Sequence, residues 1–125
     1  AVDKASDIVE NSVEVNGVRY VTYNAQGVDP ATMQKLADNV ADKMSSGIVV
    51  LAAGADGKVV FVCKVTSDLV SKGFHAGNII RDVAKVAGGG GGGKPEFAQA
   101  GGKDPSKIDA AFAKAVEIIS AKATA

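Results

Sequence analysis

Tryptophan is missing from this chain, cysteine occurs once, proline three times, and aromatic residues make up 5%. A lone Cys63 excludes an intrachain disulfide framework and suits a reducing compartment. With a single histidine, His75, the chain lacks the three or four soft ligands that a zinc site needs. The same shortage leaves nucleophilic catalysis unsupported, since it requires an oriented nucleophile, base and third group. No apolar run approaches the roughly 18–20 residues that span a bilayer, and residues 59–65 are interrupted by Lys64. No basic-then-apolar signal pattern opens the sequence. The expectation is a cytoplasmic binding module without a catalytic site, metal or membrane partner.

Net charge is absent too, with 14 basic and 14 acidic residues. Its distribution is uneven. Residues 1–47 carry four bases against seven acids, and residues 48–125 carry ten against seven. Between Lys72 and Lys107 there are six bases and three acids. Whole-chain charge governs long-range attraction, but a contact site needs only local positive potential. Such a module should bind nucleic acid weakly by itself and lean on a partner or a larger parent chain.

What is present is patterned, and 125 residues make one domain. Ala5, Ile8 and Val9 have helical spacing, so residues 1–10 read as the remnant of an upstream helical segment or a frayed terminus. Asn16-Gly17 between alternating β-formers predicts a hairpin. Asp29-Pro30 predicts a helix start, followed by a one-sided stripe of Met33, Leu36, Ala37, Val40, Ala41 and Met44. Residues 48–53 and 58–65 read as a hairpin about a turn over 54–57. The intervening helix makes the strands near Tyr20 and Val50 parallel. A helix over 76–87 ends at a glycine run. Phe97-Ala98-Gln99-Ala100 suggests a short edge strand, and Asp104-Pro105 opens a last helix with Ile108, Ala111, Phe112, Ala115, Val116 and Ile119 inward. The fold class is α/β (α+β): one domain, a mixed sheet of about four to five strands packed with about three helices. Cys63 reads as core, His75 as a capping or surface residue, and Phe97 as core rather than a stacking platform.

The glycine run, Gly88, Gly89, Gly90, Gly91, Gly92 and Gly93, is the feature that asks for a function. No Gly-Lys-Ser/Thr follows it, so it is not an ATPase phosphate loop. It follows a helix rather than a strand, which does not fit the dinucleotide fingerprint. A flexible linker is the plain alternative. Against a linker, ordering six glycines costs much backbone entropy. Backbone amides unobstructed by side chains, near Lys85, Lys94 and Lys103, suit close approach to phosphates and riboses.

The segment Ala76-Gly77-Asn78-Ile79-Ile80-Arg81, then Ala84-Lys85-Val86-Ala87, the glycines, and Lys94-Pro95-Glu96-Phe97-Ala98-Gln99-Ala100-Gly101-Gly102 resembles the C-terminal, DHH-associated domain of alanyl-tRNA synthetases. That domain also stands behind the catalytic halves of DHH phosphoesterases, in which a histidine more often follows a shorter glycine run. Lys94-Pro95 favours the synthetase, although arginine is the commoner basic residue there and lysine lacks its fork. The looser resemblance extends from about Val13 to Ile119. It implies that residues 11–125 form a tRNA-binding globular domain contacting the elbow of tRNA(Ala), and helping aminoacylation and editing domains to act on it. It implies as partners the other domains of a parent alanine-tRNA ligase and a second copy through a preceding helical segment. ATP, magnesium and zinc would belong to other parts of such a parent, with no cofactor expected in these residues. Carried over by position, the RNA-facing residues are the six glycines, Lys94, Pro95, Gln99, Gly101 and Gly102. Lys72, Arg81, Lys85 and Lys103 join them by charge and proximity in sequence. The substrate-binding half of a phosphoesterase and a dimerisation module remain the alternatives.

Overall fold

The computed structural model describes residues 4–124. Its framework is a six-stranded sheet with the order β1-β2-β3-β4-β6-β5, in which β5 is Gly90–Gly93 and β6 is Phe97–Gly102. Strands β1 (Val13–Val15) and β2 (Val18–Asn24) form the first hairpin. Its turn residues Asn16 and Gly17 have φ of 52° and 86°, the paired positive values of a two-residue hairpin turn. Helix α2 (Pro30–Met44) begins where Asp29 accepts a hydrogen bond from the Thr32 amide, with proline at its first position. The Thr32 hydroxyl also donates to Asp29, and these bonds hold the carboxyl below its ordinary range. After α2 the chain enters β3 (Ile48–Ala55), which runs parallel to β2 as the crossover requires.

Strand β3 turns directly into β4 (Lys58–Val65) through Asp56 and Gly57, with φ of 54° and 76°. The turn expected over 54–57 is therefore two residues long, because β3 keeps pairing with β4 through Ala55 and Lys58. A short helix that the sequence does not announce, α3 (Ser67–Ser71), follows. Asp68 in its first turn accepts from the hydroxyls of Ser46 and Thr66, tying this turn to the end of α2 and lowering the carboxyl's pKa. Helix α4 (Ala76–Val86) comes next, its first turn capped by His75, whose Nδ1 accepts from the Asn78 amide at 3.1 Å. The capping role expected for His75 is thus present. A single 3-10 turn, Pro105–Lys107, leads into the last helix, α5 (Ile108–Ala123).

Two cores flank the sheet. On one face Ile48, Val50, Val59, Phe61 and Cys63 pack against α4 and α5. On the other, Val49, Leu51 and Val62 pack against α2 and against α1 (Lys4–Glu10), which buries Ala5 and Ile8. Strand β3 is buried on both faces, which explains its unbroken apolar run. Burial also pushes the Cys63 thiol up to about 12, as expected for a core cysteine. Phe112 and Val116 are half-buried at the rim of the first core, and Phe97 at the rim of the second. The sheet has six strands against about four to five expected, and five α-helices against about three, because α1 and α3 are short. Among the described residues, no helix is long and apolar enough to cross a membrane.

Candidate nucleic-acid interface

The glycine run is a strand rather than a loop. Gly88, with φ of 76°, takes the chain out of α4, and β5 (Gly90–Gly93) then pairs antiparallel with β6 (Phe97–Gly102). This corrects two expectations at once. The run is a paired strand, and the strand begun by Phe97 is not at the edge but lies between β4 and β5. The two strands approach unusually closely because Gly91 and Gly93 carry no side chain. A Cβ on Gly91 would lie 2.6 Å from the Cα of Ala100, and one on Gly93 would lie 2.8 Å from that of Ala98.

Helix α4 approaches the underside of this strand just as closely. A Cβ on Gly77 would sit 2.7 Å from the Gly93 carbonyl oxygen, and the Ala76 amide donates to the Pro95 carbonyl at 2.8 Å. Gly102 is buried too, where a Cβ would meet Val59 and Ala87. Gly88, Gly91, Gly93 and Gly102 therefore have architectural reasons to be glycine, and Pro95 enters the contact only through its backbone carbonyl.

Gly90 and Gly92 have none. A Cβ on either would meet nothing within 4 Å, and neither has a positive φ. They pair with Gly101 and Gln99, so all four belong to one face of the sheet, and all four are exposed. This is the face on which α2 packs, because Gln34 of α2 donates to the Gln99 side chain at 3.0 Å. Helix α2 covers β3 and β4 and stops at that hydrogen bond. Beyond it the face of β6 and β5 is open, an almost side-chain-free platform beside a helical wall.

A hollow of about 510 Å³ lies where the platform meets the wall. Lys94, Lys64, Phe97 and Gln99 line it together with Asp38 and Glu96. Lys64 is paired with Asp38 at 3.3 Å. The expected residues Lys94, Gln99, Gly101, Gly90 and Gly92 are thus brought together. Lys103 follows β6 at the far end of the platform, where Gly89 also lies. Lys72, Arg81 and Lys85 are not part of this face. Lys72 is exposed just after α3, and Arg81 and Lys85 are exposed on α4, in the layer on the opposite side of the sheet. Sequence reasoning missed Gln34, Lys58 and Lys64. The alternation within 58–65 carried a signal for two of them, since Lys58, Val60, Val62 and Lys64 must share a face.

The DHHA1 domain profile matches residues 17–121. The alanine–tRNA ligase of Clostridioides difficile is 49% identical over 119 residues, which span 95% of this chain and 14% of that protein. The ligase of Acetivibrio thermocellus is 50% identical over 113 residues, 90% of this chain and 13% of that protein. Among solved structures, the C-Ala domain of Aquifex aeolicus alanyl-tRNA synthetase superposes with a TM-score of 0.78 at 30% identity, covering 92% of this chain and 99% of that one.

Proposed function

The chain belongs to the DHHA1 domain family, alongside the C-Ala domain of alanyl-tRNA synthetase, and from that premise we propose that it is a tRNA-binding module of an alanine–tRNA ligase. In this reading the open face of β6 and β5 lies against the elbow of tRNA, where the D and T loops meet. It holds one tRNA(Ala) while aminoacylation and editing domains of the parent enzyme act on it. The relatives at 49% and 50% identity support the parentage.

The observation that carries the RNA contact is the pair Gly90 and Gly92. The fold gives neither a reason to be glycine, yet their Cβ positions face the open platform beside Gln99 and Gly101. A surface without side chains lets a sugar–phosphate backbone approach the peptide groups, with Lys94 at the rim to supply charge. Recognition would be by the shape of a folded RNA corner rather than by sequence.

Titrating the 125-residue chain with tRNA, and with an RNA duplex of equal length lacking the elbow, tests this reading. Preference for tRNA is expected. Equal affinity for both would sink the elbow, and no binding to either would sink the RNA reading altogether.

A further inference from the structure

The two ends of the open platform differ in charge. At the Lys94 end two bases meet two acids, with Lys64 held by Asp38 and Glu96 lining the same hollow. At the other end lies a second hollow, of about 420 Å³, flanked by Lys58 and Lys103 with no carboxylate among its lining residues. Its floor is backbone, formed by Gly89, Gly90, Gly101 and Gly102 over Val59 and Val60.

The strand register creates this arrangement. Val59 pairs with Gly102 at the end of the β4–β6 ladder, so Lys58, which opens β4, and Lys103, just past β6, flank the same end of it. No carboxylate lines the hollow itself; Asp104, next to Lys103 in sequence, accepts from Ser106, and Asp29, which shares a neighbouring hollow with Lys58, accepts from Thr32. The floor is also barer than packing demands. Gly90 has open space above it, and a Cβ on Gly101 would come no nearer than 3.8 Å to the Val59 carbonyl oxygen.

We infer that this hollow is a second anchor for the RNA, seating one exposed base or ribose ring flat on the glycine floor. The adjoining phosphates fall on Lys58 and Lys103. This inference rests on the RNA reading above and adds the place where ring and phosphate meet. The anchor lies one β6 length from the Lys94 end, about 17 Å for a strand of this size. A flat apolar floor between two cations, with no carboxylate lining it, matches a nucleotide, which has an apolar ring face and an anionic link on either side. The Lys94 end, being charge-balanced, contributes less to the electrostatic part of binding.

The test uses the 125-residue chain and fluorescently labelled tRNA, with dissociation constants measured over a series of salt concentrations. Lys58→Ala and Lys103→Ala are each expected to lower the slope of log K against log salt by about one, which is roughly a tenfold loss at 0.1 M salt. Gly90→Val, which fills the floor, is expected to weaken binding while leaving the slope and the melting temperature near wild type. Lys122→Ala on α5, in the opposite layer, is expected to leave binding as it is. If the chain binds tRNA but Lys58→Ala and Lys103→Ala keep the full slope, the second anchor is overturned and the RNA reading stands. An equal loss with Lys122→Ala would reduce the effect to general charge and also overturn it. If the unsubstituted chain binds no tRNA, the RNA reading itself fails, and the anchor with it.

Discussion

Strands β3 and β4 and strands β6 and β5 belong to one sheet, yet they are built on opposite principles. The first pair is covered by helices on both faces and filled with Val, Ile, Leu and Phe. The second is covered on one face and carries alanine and glycine where the first carries large side chains. One half obtains its stability from buried area, the other from backbone pairing at close range. The price of the second design is a weak edge, and its return is a face that another molecule can approach to backbone distance. In the proposed reading, stability and recognition are divided between neighbouring strands rather than mixed within them.

The sharpest way to break this comparison is at the centre of the covered half. Phe61→Ala should cost roughly 3–5 kcal/mol in urea unfolding, while the folded fraction keeps its affinity for tRNA. Cys63 reports on the same core. Its thiol, raised to about 12 by burial, is protonated at pH 8 and should resist iodoacetamide until the chain unfolds. Fast labelling of the native chain at pH 8 would show that this half is not closed.

A smaller effect is expected in the glycine half, and it should alternate along β5. Gly91→Val forces a side chain into Ala100 and should cost roughly 1–3 kcal/mol by chemical denaturation. Gly92→Ala meets open space, so its stability should stay within about 1 kcal/mol of wild type, with RNA binding weakened instead. Similar losses of stability at both positions would end the distinction between architectural and ligand-facing glycines. The smallest change should come from Asp38→Asn at the boundary between the halves. An exposed pair of this kind contributes about 0.2–1 kcal/mol, so stability should barely move. Lys64, released from its partner, should strengthen tRNA binding about twofold at low salt, consistent with a partly exposed added charge.

The covered half was legible in the sequence because side chains write it there. The stripe from Met33 to Met44, the Asp29-Pro30 start and the two turn pairs predict α2, its crossover and both hairpins. The open half was not legible as structure. A glycine strand has no side-chain alternation, and its identity as β5 depends on pairing with β6, which only the assembled sheet reveals. Phe97 was read as opening an edge strand for the same reason, since nothing in residues 88–93 shows that another strand lies outside it. The motif did mark Lys94, Gln99 and Gly101, which share the platform. Charge and nearness in sequence misplaced Lys72, Arg81 and Lys85, because a helix carries its exposed residues to the far side of the sheet. Lys58 was overlooked because Lys103, which flanks the same hollow, is 45 positions away and is brought there only by the β4–β6 register.

The contact between α4 and the glycine strand has a kinetic meaning. The Ala76 amide, at the first turn of α4, is satisfied by the Pro95 carbonyl just beyond β5, and Gly77 lies directly against Gly93. Strand and helix start must therefore come away together, as one small opening unit, while β3 and β4 remain closed. In hydrogen exchange the Ala76 amide should follow the rhythm of β5 rather than that of the helix to which it belongs. An RNA seated on the platform would then slow an amide on the other side of the sheet, making a buried helix start a reporter of binding at the open face.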